Sequence, residues 1–127
     1  MIAGRFGEDG ELLFEIELIA NNGERFPVEA LLDTGFTTGF LAINFQELEA
    51  LGWALITPQI EMETARGNEF FDIYEGRVIL DGQEFIIPVH VGDELFDILI
   101  GSQWLEMMEL AVNKQRGILT LEMVASE

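Results

Sequence analysis

Strict alternation of apolar and polar residues is the feature of this sequence that most limits its fold. Segment 11–20, ELLFEIELIA, places an apolar residue at every second position from Leu12 to Leu18, with two glutamates on the opposite face. A period of two is typical of a half-buried β-strand, whereas an amphipathic helix needs a period near 3.6. The segment therefore predicts a strand with one face in a core.

Turn sequences divide the chain into further strands. Asn21-Asn22-Gly23 predicts a tight hairpin turn, and Pro27 in the return strand indicates an edge or a bulge. A second hairpin is predicted at Asp81-Gly82. Strands are expected in the segments 24–33, 58–76 (two strands around a tip at 64–68), 77–92, 94–101 and 117–124.

Two segments have helical rather than alternating spacing. NFQELEALGW (44–53) predicts a short helix that ends at a glycine. SQWLEMMEL (102–110) predicts a second helix, with Ser102 as its N-cap and with Leu105 and Met108 at core spacing. The fold class predicted from the elements is therefore all-β with one or two short helices.

Composition bounds the class of protein. The 127 residues predict one domain over 1–127, and 49% hydrophobic residues with a mean hydropathy of +0.24 argue against disorder. No apolar run approaches the roughly 18 residues of a membrane span, the N-terminal stretch is acidic where a signal peptide would be basic, and there is no cysteine. We expect a cytoplasmic protein without membrane contact.

The net charge is −18, from 24 acidic and six basic residues. Nucleic-acid binders need a positive surface, so we expect no nucleic-acid partner. Two interpretations of the charge stay open. It can be a well-solvated acidic surface, or it can belong to a protein that works when some acids are protonated or that attracts basic partners.

The most informative stretch is ALLDTGFTTGFLAI (30–43), in which an apolar run ends at Asp33. A carboxylate there is costly unless it is hydrogen-bonded. Gly35 lets the backbone turn so that amide N–H groups point at the carboxylate, and Thr34 adds a hydroxyl that can donate and accept. Asp33 is therefore the main catalytic candidate, although the tripeptide alone also suits an ordinary turn.

The order of motifs resembles that of the retropepsin family, the single-domain retroviral-type aspartic proteases. LLDTG, METARGN, ILIG, SQWLEMMEL and ILTLE occur in the family's order and at compatible spacing, over about residues 11–123. The resemblance implies a closed β-barrel that forms a homodimer. It also implies an aspartic endopeptidase that needs no cofactor and no metal, with a peptide or protein as its substrate.

The resemblance also implies roles for single residues. Asp33 of each subunit would form a catalytic pair, because the chain has one Asp-Thr-Gly and the second half carries ILIGSQ at the related place. Thr34, Gly35, Thr37 and Gly101 would support the active-site loop.

A hairpin tip at Thr64, Ala65, Arg66 and Gly67 would be the flap that covers the substrate. Arg66 can pair with the acidic surface, meet an acidic substrate or be a solvated turn residue.

Two positions depart from the family pattern. Phe36 stands where a small residue is usual, and its ring can either fill a substrate subsite or pack in the core. Ser102 stands where viral enzymes often carry a residue that braces the dimer, so the dimer can be weaker.

Other candidates have less support. His90 has no second histidine and is expected on a strand face, and Asp97 is expected at a sheet edge. The acids of 8–11 lack the spacing of a calcium loop, and Glu106 and Glu109 are expected on a solvated helix face. The rival function is a retropepsin-like module that binds a peptide or protein without cleaving it, with Asp33 kept for loop architecture.

The charge of each subunit predicts that dimerisation depends on pH and salt. Two chains of charge −18 repel each other at neutral pH, most strongly at low salt. We expect the dimer dissociation constant, measured by sedimentation in low salt, to be lower at about pH 5 than at about pH 7.5. Equal affinity at both pH values would contradict the prediction.

Overall fold

Eleven β-strands form most of the part of the chain that the computed structural model describes, namely residues 1–64, 67–93 and 95–124. The strands are β1 (Ile2–Ala3), β2 (Arg5–Phe6), β3 (Leu12–Ile19), β4 (Arg25–Asp33), β5 (Leu41–Asn44), β6 (Ala54–Thr64), β7 (Gly67–Leu80), β8 (Gln83–Gly92), β9 (Ile98–Gly101), β10 (Met108–Asn113) and β11 (Ile118–Met123). Helical turns are short: a 3₁₀ turn at Phe45–Glu47 leads into α1 (Leu48–Leu51), and a second 3₁₀ helix spans Ser102–Glu106.

The larger sheet closes into a barrel. Its strand order is β2-β3-β4-β9-β5-β8-β7-β6, and β3 also pairs with β7 through Glu17 opposite Ile79 and Leu18 opposite Val78. That additional pairing joins the ends of a six-stranded ring and leaves β2 and β6 outside it. The predicted all-β closed barrel is confirmed.

Strand β9 lies between β4 and β5, although β5 comes much earlier in the chain than β9. It runs parallel to β4 and antiparallel to β5. Parallel strands need a long connection, and here the intervening strands β5 to β8 supply it. The register places Gly101 directly opposite Asp33, at the end of both strands.

A three-stranded sheet with the order β1-β11-β10 packs beside the barrel. The hydrophobic core fills the barrel and extends to this sheet, since Phe14 of β3 and Leu121 of β11 belong to one cluster of buried residues. No helix in the described ranges is long and apolar enough to cross a membrane.

The second predicted helix is partly wrong. It ends at Glu106, and the chain from Met108 is a strand paired with β11, so that Leu110 lies opposite Leu121. The apolar residues of MELAV fit the spacing of a helix as well as that of a strand. Strand β11 offers an unpaired edge here, and pairing with it makes the segment a strand. Ser102 is not the N-cap either: that position is Gly101, and no side chain caps the helix.

Two predicted strand boundaries also differ. The chain does not break near residue 76, because β7 continues from the flap to the turn at Asp81-Gly82. The strand predicted at 94–101 is limited to Ile98–Gly101. The hairpin turns at 21–23 and 81–82 and the first short helix are confirmed, and α1 ends at Gly52 in the left-handed conformation.

Burial predicts very different costs for the same substitution at two phenylalanines. Phe14 is 1% exposed in the core, whereas Phe96 is 95% exposed. We expect Phe14→Ala to lower the free energy of unfolding by about 3 to 5 kcal/mol, because it removes buried area and leaves a cavity. The matched control Phe96→Ala should change it by less than about 0.5 kcal/mol in urea denaturation. Similar losses for both variants would contradict this description of the core.

Candidate active site

Asp33 ends strand β4 at the floor of a cleft, where its side chain is partly exposed. Its Oδ1 accepts a hydrogen bond of 2.9 Å from the backbone N–H of Gly35, and its carbonyl accepts one of 3.1 Å from the N–H of Phe36. The predicted turn of the backbone toward the carboxylate is therefore present. It fixes one carboxylate oxygen and aims the side chain into the cleft.

Two glycines allow the loop after Asp33 to fold tightly against β9. A Cβ atom on Gly101 would collide with the backbone carbonyl of Gly39, and one on Gly39 would collide with the Phe36 ring. The close backbone approach therefore explains both glycines. It places Gly101 under the loop.

Hydrogen bonds from the start of the second 3₁₀ helix hold the same loop. Gly101 donates its N–H to the Phe40 carbonyl over 2.9 Å, and Ser102 donates its N–H to the Phe36 carbonyl over 2.8 Å. The indole Nε1 of Trp104 donates to the Phe40 carbonyl as well, over 2.8 Å. Ser102 therefore braces the loop of its own chain.

The cleft above Asp33 has a volume of about 890 Å³, and loop residues line its floor. Gly35, Phe36, Thr37 and Thr38 follow Asp33 along this floor, whereas the exposed Thr34 is not among the lining residues. Most of the remaining wall is apolar. A volume of this size is in the range of ligand-binding clefts.

Strands β6 and β7 form a hairpin that borders the cleft, at the place where the sequence predicts a flap. Thr64 and Gly67 are paired at its end, and Gly67 has a φ of +99°, which favours glycine. Ala65 and Arg66, the other two predicted flap residues, lie outside the described residues. Ile60 of β6 lies opposite Phe71 of β7, and both line the cleft.

The ring of Phe36 lies between the cleft and a neighbouring ring of the barrel. Its ring is half-buried and lines the cleft. It also packs edge-to-face on the His90 ring, with 5.1 Å between the ring centroids. The departure from a small residue is therefore accommodated, because Gly39 and Gly101 leave room for the ring.

His90 lies on strand β8, as expected, but its place in the cleft was not predicted. It is 8% exposed, lines the cleft, and packs between Phe36 and Phe71. Its Nδ1 is buried without a hydrogen-bond partner among the described residues. Burial lowers the pKa of His90 below its usual value, so the imidazole is neutral at pH 7.

An acidic side chain of the flap that borders the cleft was missed in the sequence: Glu69 of β7 lies opposite Met62, and both line the cleft. Glu61 and Glu63 of β6 also border the cleft, but they lie opposite residues that do not line it, so their side chains lie on the other face of the hairpin. Their strands were predicted, but which faces meet Asp33 depends on how the flap folds over the barrel. Asp97 is exposed in a bend before β9, and no cluster of three His, Asp or Glu residues in the described ranges could hold a metal ion.

Comparison with solved structures shows the fold. A retropepsin-like aspartic protease from Rickettsia conorii superimposes with a TM-score of 0.65 and 23% identity, covering 97% of this chain and 89% of that one. EIAV protease in complex with the inhibitor HBY-793 gives a TM-score of 0.61 and 15% identity, covering 80% of this chain and 90% of that one.

No family model and no curated protein matches the sequence. The chain therefore has a retropepsin-like fold, shown by structure rather than by sequence similarity.

The neutral, buried His90 predicts a loss of stability on acidification. Its pKa in the unfolded chain is near 6.5 and is lower in the folded state, so below about pH 6.5 the unfolded chain binds more protons. We expect the free energy of unfolding of the wild type, relative to His90→Leu, to fall between about pH 7.5 and about pH 5.5. A difference that stays constant over this window, in urea denaturation, would contradict the prediction.

Proposed function

We propose that this protein is an aspartic endopeptidase that acts as a homodimer, with Asp33 of each subunit forming the catalytic pair. The observation that carries the proposal is the position of Asp33, whose carboxylate faces a large cleft from a loop fixed by close glycine contacts and hydrogen bonds. The retropepsin-like fold supports it, since the Rickettsia conorii and EIAV proteins of the same fold are named as proteases.

The second carboxylate must come from another chain. The neighbour of Asp33 on the adjacent strand is Gly101, which has no side chain. The other described carboxylates of the cleft belong to the flap strands β6 and β7. A two-fold axis at the Asp33 loop would bring two copies of this residue together.

Two adjacent carboxyl groups suffice for the chemistry. Like charges about 3 Å apart cannot both be ionised, so the pair holds one proton. The ionised carboxylate removes a proton from water, which attacks the scissile carbonyl carbon, while the protonated carboxyl donates to the carbonyl oxygen. The tetrahedral intermediate is then a gem-diol, and the pair still holds one proton. When the C–N bond breaks, the leaving nitrogen takes that proton, and a hydroxyl of the gem-diol gives its proton to the other carboxylate as the new carbonyl forms, so the pair again holds one proton.

The substrate would lie extended between the floor and the flap. An extended peptide presents its side chains alternately to the two walls, and the walls here are mainly apolar. Closure of the flap would exclude water from the reaction.

The chain contains no cysteine and therefore needs no oxidising compartment to form disulfides. We place the proposed activity in the cytoplasm.

The isosteric variant Asp33→Asn tests the proposal. We expect the wild type to cleave members of an apolar peptide library between about pH 3 and pH 7, and Asp33→Asn to lose at least about a hundredfold in kcat/KM. Cleavage that survives the substitution would rule out the proposed mechanism. Peptide binding without cleavage by either form would favour the rival, a peptide-binding module.

Mixing subunits tests whether both copies of Asp33 are needed. Excess Asp33→Asn protein should suppress the activity of a fixed amount of wild type, because mixed dimers hold one carboxylate instead of two. Adding the same excess of Glu47→Gln, altered at an exposed helix residue away from the cleft, should not reduce activity. Unchanged activity with excess Asp33→Asn would show that one chain is sufficient.

A further inference from the structure

The ring of Phe36 fills a space on the cleft floor that two glycines leave open. A Cβ atom on Gly39 would overlap Cζ of this ring, and one on Gly101 would lie 3.0 Å from its Cδ2. Carbon atoms in favourable contact lie about 3.5 to 4.0 Å apart. The ring therefore occupies the volume that side chains at both positions would need.

Hydrogen bonds and a neighbouring ring hold Phe36 in this place. Its N–H donates to the Asp33 carbonyl over 3.1 Å, and its carbonyl accepts from the N–H of Ser102 over 2.8 Å. On the barrel side, the ring packs edge-to-face on His90, which is 8% exposed. A close-packed interior yields little to added volume, so the ring has no room to withdraw into the barrel when a ligand enters.

The ring and the carboxylate lie on the same floor. Asp33, Gly35 and Phe36 are close together in one loop and all line the cleft. Phe36 is half-buried, so part of its ring faces the cleft. A peptide whose scissile bond reaches Asp33 therefore passes over the ring, and the side chain that points down at that place meets it.

We infer that Phe36 is a specificity-determining residue, which restricts the substrate to small side chains where the peptide crosses its ring. The inference rests on the proposed function, since it names the substrate class of the same cleft: apolar peptides with glycine or alanine at these positions. A two-fold axis through the catalytic pair places one Phe36 ring on each side of the scissile bond. The restriction therefore applies at two positions, one on each side and equally far from the bond.

Removal of the ring would open a recess in the floor. Gly39, Gly101 and His90 surround the ring now and would form the walls. The two glycines have no side chain to fill the space, and the recess would open into the cleft. A large apolar side chain of a substrate gains favourable burial there.

A peptide library tests the inference on the wild-type protein. Each position of one apolar sequence carries glycine, alanine, leucine or phenylalanine in turn, and mass spectrometry locates the cleaved bond. Replacing alanine by leucine or phenylalanine should lower kcat/KM by at least about tenfold at one position on each side of that bond. Equal or higher kcat/KM with the large residues at every position would overturn the inference, because the ring would then attract large side chains instead of excluding them.

The variant Phe36→Ala should remove this penalty at both positions at once. We expect kcat/KM for leucine relative to alanine to rise by at least about tenfold over the wild-type ratio. The matched control Phe45→Ala removes the same ring from an exposed position outside the cleft lining, and it should keep the wild-type ranking. An unchanged ranking in Phe36→Ala, or the same change in both variants, would contradict the inference.

A second variant covers the possibility that Phe36→Ala fails to fold, as judged by urea denaturation. Phe36→Leu keeps an apolar contact with His90 and removes less volume. It should give a leucine-to-alanine ratio between those of the wild type and the fully opened floor. A ratio equal to that of the wild type in a folded Phe36→Leu protein would count against the inference.

The outcomes distinguish this inference from the proposed function. Cleavage that Asp33→Asn abolishes supports the endopeptidase whatever the size ranking, and a flat ranking then overturns the inference alone. If the wild type cleaves no peptide, the alanine and leucine peptides are titrated into wild type and Phe36→Ala by calorimetry. The leucine peptide should bind Phe36→Ala at least about tenfold more tightly than it binds the wild type, and equal affinity would contradict the inference.

Discussion

The insertion of β9 between β4 and β5 is the contact on which the rest of this structure depends. It brings the end of β9 beside Asp33 and forces the loop between β4 and β5 to cross over Gly101. That crossing is possible only where two backbones can approach without side chains, at Gly39 and Gly101. The position of the carboxylate therefore follows from a strand pairing between distant parts of the chain.

The same crossing couples the loop to the core. Trp104, 2% exposed, donates to the Phe40 carbonyl and packs against the rings of Phe40 and Phe85. The carbonyl of Phe40 also accepts from Gly101. A loop held by these aromatic contacts keeps its carboxylate in a fixed orientation, which is the preorganisation that the proposed acid–base chemistry requires.

Charge and packing act differently in the cleft. Phe36 and Phe71 pack against the buried His90 beside the floor, and burial lowers the pKa of this imidazole and keeps it neutral. The carboxylates of β6 at 61 and 63 are exposed to solvent, so their influence is long-range and sensitive to salt.

Local sequence patterns determined much of this protein. Alternation predicted most strands of the barrel, glycine and asparagine predicted the hairpin turns, and the apolar run ending in Asp-Thr-Gly located Asp33 and its bond from Gly35. These features depend on neighbouring residues, whose chemistry is readable in order. Only the tertiary structure decided that Met108–Asn113 is a strand on β11, that β9 enters between β4 and β5, and that His90 and Glu69 share a cleft with Asp33. Each of these depends on which distant segment offers a free edge or face, and one sequence does not encode that choice in any single segment.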